Sequence, residues 1–131
     1  MHYNSNTEGH MKDIALKLKL DQDKPFIIVN DKGVIKHINP LFEQTYGWRA
    51  EDLINQTLLS IIPTGLHDAH NLGFSRFITT GAPTLLGKEL NLQITNKQGE
   101  VSQAIHVIKA LKEEKTWILG ANIFPAKDDA Q

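Results

Sequence analysis

The residues best placed to do chemistry in this chain of 131 residues are two histidines, His67 and His70, at the head of the stretch HDAHNLGFSRFITTGAPTLLGKELNLQITNKQGE. A neutral imidazole can ligate a metal or a haem iron, move a proton near neutral pH, or sit in a core with its ring nitrogens satisfied. His70 shares a helical stripe with Phe74 and Phe77, because residues three and four apart lie on one face. It therefore aims at an apolar interior, as packed scaffold or as a ligand to something bound there. His67, one turn earlier, is the substitute candidate. The pair offers two metal contacts but no third ligand at a defined spacing. His37 and His106 alternate with apolar strand positions and read as sheet-surface residues.

Other chemistries find little support. The chain has no cysteine, which excludes disulfides, thiolate metal sites, a cysteine nucleophile and a cysteinyl–flavin adduct. Flavin without such an adduct is a poor candidate, since Trp48 reads as a surface or cap residue and Trp117 as core or dimer-face packing. Glu51 and Asp52 sit in a first helical turn, where acids complement the dipole, and form no catalytic pair with Glu43. No Ser–His–Asp order, phosphate-binding loop or dinucleotide fingerprint occurs, so no enzyme is expected. Asn39, Asn91 and Gln93 read as a polar pocket lining or as strand-end caps.

The elements that must position these residues follow from periodicity. Hydrophobic residues make up 40% of the chain, enough for one core, so a single domain is expected. Residues 1–10 read as a disordered lead and 11–22 as an amphipathic N-terminal helix whose leucines need cover. PFIIVN and VIKHI, joined by Asp31-Lys32-Gly33, form a hairpin. Asn39-Pro40 ends the second strand and starts a helix through Phe42 and Tyr46, stopped by Gly47. A short helix follows over Arg49–Ile54, and the run LLSII is apolar and buried. The helix carrying His70 spans roughly Asp68–Thr79, closed by Gly81 with Pro83 beyond. Strands follow over 85–95, 101–111 and 116–124. In the first, Leu90, Leu92 and Ile94 face one way. In the second, Val101, Ile105, Val107 and Leu111 do. A charged loop is expected at Lys112–Lys115, and 126–131 form a polar tail. The architecture is an α+β layer: a five-stranded antiparallel sheet with short helices on one face.

This order of pieces resembles the PAS domain, the sensory box family, over about residues 24–124. The resemblance rests on PFIIVNDKGVIKHINPLFEQTYGW, EDLINQTLLSIIP, His70 with FSRFITTG, LLGKELNLQ and NKQGE. It implies a sheet cradling a small cavity, in a module that senses a ligand or relays a signal, often as a dimer. The pathway would be of the two-component or cyclic-dinucleotide kind, with an output domain in a larger signalling protein. His70 before Thr80-Gly81, with Leu85-Leu86-Gly87, is also similar to the FixL-like haem-binding branch, which makes haem a candidate cofactor with His70 on iron. The cavity wall would then be Phe74, Phe77, Leu86, Leu90 and Leu92. That branch has an Arg where this chain has Leu90, so its oxygen-stabilising hydrogen bond has no donor. At the C-terminal end, Asn122-Ile123-Phe124-Pro125 replaces the family's usual output motif.

The expected function is therefore a ligand- or partner-binding sensory module, with haem-based gas or redox sensing and a ligand-free docking scaffold as the other readings. A homodimer through the N-terminal helix and the sheet face is expected. A net charge of −1 argues against nucleic acid. The lack of a long apolar run argues against a membrane span and for a cytoplasmic protein.

Overall fold

The computed structural model describes residues 5–81 and 86–127. Five strands, β1 (Phe26–Asn30), β2 (Ile35–Ile38), β3 (Glu89–Thr95), β4 (Val101–Glu113) and β5 (Thr116–Pro125), form one sheet in the order β2-β1-β5-β4-β3. All neighbours pair antiparallel. The first and last strands thus lie side by side at the centre. Between β2 and β3 run α2 (Pro40–Tyr46), α3 (Ala50–Leu53), 3-10 turns at Leu58–Ile61 and Thr64–Leu66, and α4 (His67–Thr80).

These helices cover the inner face of the sheet. The core there joins Ile27, Val29, Ile35 and Ile38 to Phe42, Leu53 and Ile61, with Ile94, Ala104, Leu119, Ala121 and Ile123 from the remaining strands. Burial of each large side chain in this set contributes about 1.5–3 kcal/mol.

The outer face is covered as well, by α1 (Ser5–Lys17). Ile14, Ala15, Leu18 and Leu20 pack on Phe26 and Ile28, with Met11, Leu111 and Ile118 at the margin. The N-terminal helix thus starts at Ser5 rather than at Met11, and ends at Lys17 rather than near residue 22. Its end is a double hydrogen-bonded cap: Leu20 N–H reaches the Ala15 carbonyl at 3.1 Å and Lys19 N–H the Leu16 carbonyl at 3.0 Å. Lys19 takes the left-handed position with φ 60°. That reversal drops Leu20 back onto the sheet. It also requires Gly120, where a Cβ would meet Leu18 at 2.8 Å and Leu20 at 3.0 Å.

Two buried asparagines fix the linker between α1 and β1. Asn39 caps α2, its side-chain oxygen accepting from Phe42 N–H at 3.0 Å. The same oxygen accepts from Phe26 N–H at 2.9 Å, and the amide donates to the Lys24 carbonyl at 2.9 Å. Asn122 donates to the carbonyls of Asp21 and Pro25, and accepts from Asp21 N–H. Tyr46 donates its hydroxyl to the Ile123 carbonyl at 3.0 Å, and burial pushes its ionisation well above the ordinary range.

Four local expectations need correction. The β4–β5 connection is a two-residue turn, Glu114-Lys115, with φ of 51° and 71°, not a four-residue loop. Positive φ at both central residues matches the strand twist, although neither residue is Gly or Asn. The inner face of β4 carries the even-numbered Ala104, His106, Ile108 and Ala110, so His106 is not a residue of the outer sheet surface. It stands between Leu90 and Ile123 in the cross-strand register, with Ile105 and Val107 on the outer face. Leu92 shares the inner side with Ile94 but is 44% exposed, because the helical layer stops short of the β3 edge. The last of the expected strand 85–95 begins only at Glu89, after a turn, and Leu85 lies outside the described residues along with Pro83.

Replacing Glu114 by Asn and Lys115 by Gly should stabilise the domain by about 1 kcal/mol, by relieving two left-handed residues. Asn39→Ala should cost about 2–4 kcal/mol, from the lost cap and a stranded Phe26 N–H. Urea titration of each variant reads both values. An unchanged midpoint in Asn39→Ala would remove that side chain from the structural account.

Candidate functional site

α4 carries His70 because the sequence both starts and stops a helix around it. His67 follows the 3-10 turn directly, and Gly81 closes the last turn with φ 67°, its N–H bonded to the Phe77 carbonyl. None of the α4 side chains is fully buried. Phe74, Phe77 and Ile78 pack against the core as half-buried residues. These apolar side chains seat the helix on the core and leave space beside them.

That space is a groove of about 290 Å³ between α4, the β1–β2 turn and the first 3-10 turn. His70, Phe74 and Ile78 form one wall, Asp31, Lys32 and Gly33 a second, and Thr57, Leu58 and Leu59 the third. Asn71, Ser75 and Thr79 edge it with exposed polar groups. Gly33 is the tight point: φ is 75°, and the Phe74 ring lies 3.7 Å from where a Cβ would stand. Asn30 builds this turn, its side chain accepting from the N–H groups of Lys32 at 2.9 Å and Val34 at 3.0 Å. The groove therefore offers an apolar floor and hydrogen-bonding edges, as small-molecule sites do.

Of the residues singled out from sequence, His70 and Phe74 come together here, ring centroids 5.7 Å apart. Phe77 leaves the groove and packs on Trp117, centroids 5.0 Å apart. Leu86 is half-buried in the turn before β3, Leu90 is half-buried on β3, and Leu92 is largely exposed; none of the three lines the groove. Asn91 and Gln93 are exposed on β3, and Asn39 is a buried structural cap. Trp48 donates its indole N–H to the Thr95 carbonyl at 3.2 Å. The walls made by Gly33, Leu58, Leu59 and Ile78 escaped the sequence reading. Only the glycine turn hinted at them, since the second and third walls meet α4 from distant parts of the chain.

The histidines differ in their settings. The His67 ring contacts the Ile62 carbonyl at 2.7 Å, which anchors the start of α4. His70 is held below its ordinary range by burial and by the neighbouring His67, so at neutral pH it is an uncharged donor and acceptor. His106 is also lowered by burial, a trend that its contact with the Ala104 carbonyl opposes. Among the described residues no group of three metal-ligating side chains occurs.

A porphyrin does not fit this arrangement. The interval between α4 and the sheet is closed by Phe77 on Trp117 and by Phe74 on the β1–β2 turn. A flat macrocycle on His70 would displace both contacts.

The five-stranded sheet with its helical layer superposes on solved structures. The PAS domain of a Colwellia psychrerythraea protein superposes with a TM-score of 0.67 at 16% identity, over 91% of this chain and 99% of that one. It has the fold of a PAS domain. A second PAS domain, from Desulfitobacterium hafniense, gives a TM-score of 0.65 at 19% identity, over 79% of this chain and 92% of that one. The PAS domain of the RpfR quorum-sensing receptor of Cronobacter turicensis, in complex with BDSF, gives 0.57 at 17% identity, over 79% and 95% of the two chains. In sequence, an uncharacterized protein of Azorhizobium caulinodans is 29% identical over 102 residues. That match covers 76% of this chain and 14% of the relative, so this PAS fold corresponds to a small part of a longer protein there. No family model matches the sequence.

The lowered histidines set a pH dependence. A group whose folded-state affinity for protons is below its unfolded one makes the unfolded state bind more protons, so stability rises with pH. The contribution is full above the ordinary value of 6.5 and is lost as pH falls below it. The urea midpoint should drop between about pH 7.5 and 5.5, and His106→Gln should flatten that drop. A slope identical to that of the parent would mean that His106 titrates as freely as in the unfolded chain.

Proposed function

We propose that this domain is a sensory or signal-relay module of the PAS type, binding a small molecule with an apolar body and a hydrogen-bonding end in the groove beside α4. The observation that carries the reading is the groove itself. A neutral His70 stands at an apolar wall of Phe74, Ile78, Leu58 and Leu59, on a helix with no fully buried side chain. A site on so lightly held a helix is suited to moving it. The RpfR PAS domain, solved in complex with BDSF and with C12:0, is a precedent that supports ligand binding in this fold.

The signal would leave through β1. Its turn with β2 forms a wall of the groove, and its outer face seats α1 through Phe26 and Ile28. Occupancy would shift the balance between docked and loosened α1. The domain would act as a binding element of a larger signalling protein rather than as a catalyst. Pairing of two copies would use what α1 and the sheet leave uncovered. Ile14, Ala15, Leu18 and Leu20 are consumed within the chain, whereas Leu16 is 63% and Val101 49% exposed.

The test is a titration of isotope-labelled protein with dodecanoate, followed by amide spectra. Shifts should centre on Gly33, Leu58, Phe74 and Ile78, reach α1, and disappear in Ile78→Trp, which fills the groove. Shifts confined to other surfaces, or persisting in that variant, would overturn the reading. A parallel titration with hemin should give no sharp Soret band. A sharp band that His70→Ala abolishes would establish the haem reading in its place.

A further inference from the structure

We propose a second ligand site on the outer face of the sheet, at the foot of α1, with the chemistry to hold a small zwitterion of amino-acid type. A hollow of about 210 Å³ lies there, bounded by Lys19, Lys24, Lys109 and Glu89 over a floor of Val107 and Phe124. Asp21 and Asn122 complete it.

The register of the sheet places the charges. Glu89 on β3 stands opposite Val107 on β4, and Val107 opposite Asn122 on β5. Lys109 is two residues further along β4, on the same face. Glu89 and Lys109 are therefore diagonal neighbours, with about 7–8 Å between their positions. They are of opposite sign, yet the ion pairs among the described residues are Lys17–Glu113, Lys24–Asp21 and Lys97–Asp52, and do not join them. Lys19 likewise stands outside those pairs.

The other polar groups of the hollow are occupied. One Asp21 oxygen accepts from Asp23 N–H at 2.9 Å, and the other lies 3.9 Å from Lys24. Lys24 sits over the Phe124 ring at 4.1 Å. The Asn122 amide is spent on the linker. What stays open is two ammonium groups, one carboxylate and the Val107 side chain, the Phe124 ring being capped by Lys24. A ligand with a carboxylate for Lys19 and Lys109, an ammonium for Glu89 and a short aliphatic side chain on Val107 matches the chemistry of this lining. An inorganic anion would leave the floor uncovered and would face Glu89.

The position gives such a ligand leverage. Lys19 is the left-handed residue that ends α1, and Lys109 belongs to the sheet row that pairs with Gly120, where Leu18 and Leu20 seat. A molecule bridging them ties the helix end to the sheet.

This site lies on the opposite face of the sheet from the α4 groove, and its test is independent of it. L-Leucine should perturb the amides of Lys19, Val107, Lys109 and Phe124 in a saturable way, and leave those of Gly33 and Phe74 in place. 4-Methylpentanoate, lacking the ammonium, and 3-methylbutylamine, lacking the carboxylate, should each bind about tenfold more weakly. The double variant Lys19→Gln, Lys109→Gln should lose the response while unfolding at the parent's urea midpoint, and the single variant Glu89→Gln should erase the preference for leucine over 4-methylpentanoate. Equal binding of 4-methylpentanoate and leucine to the parent, or no response to millimolar leucine, overturns the assignment.

Discussion

The rest of the structure depends on β1 being apolar on both faces. Phe26, Ile27, Ile28 and Val29 are each 4% exposed or less. Ile27 and Val29 join the inner core and Phe26 and Ile28 the outer one, so this single strand is the seam between two hydrophobic layers. A sheet with helices on one face only would leave Phe26 and Ile28 in water, forfeiting about 1.5–3 kcal/mol for each. That penalty explains why α1 has to dock, why its end reverses sharply at Lys19, and why Gly120 stands where Leu18 and Leu20 come down. It also explains the two buried asparagines. The linker from Asp21 to Pro25 must pass from the outer layer into β1 with its backbone groups satisfied, and Asn39 and Asn122 supply those partners.

This double burial was legible in principle. Strands covered on both faces read as continuous apolar runs, whereas half-covered ones alternate. FIIV is such a run. Of the leucines of the N-terminal segment, Leu18 and Leu20 find their cover in this second layer. The same logic accounts for β4. Its odd-numbered residues Val101, Ile105, Val107 and Leu111 look like a core face, but the helices sit over the smaller Ala104 and Ala110, with His106 and Ile108 between them. Alternation does not tell inside from outside when both faces carry apolar groups.

Caps were the most legible features, because their chemistry is local. Asn39-Pro40 at the start of α2, Gly47 at its end and Gly81 after α4 all follow from residue type and adjacency. The β4–β5 turn was hidden for the converse reason. Glu114 and Lys115 carry positive φ without the Asn or Gly that announces it, and the long strands on either side impose the conformation. The groove was half legible. Periodicity gave the α4 wall with His70 and Phe74, but nothing local in the chain says that Gly33 and Leu58 come to meet it.

That non-local meeting bears on how the fold could carry a signal. Gly33, packed under Phe74, is three residues beyond the end of β1, and the β1–β2 register shifts between Ile28 and Val29. An irregularity of this kind is where a strand pair bends most easily. On one side of it lies the turn that a ligand would press, and on the other lies Phe26 with the seat of α1. A displacement of α4 is therefore separated from the outer layer by one strand rather than by a chain of side chains across the core. Coupling between the two faces then needs only that the β1–β2 pair have two arrangements at this bulge, whose extra residue, Lys36, lies on β2 while β1 stays in unbroken register with β5.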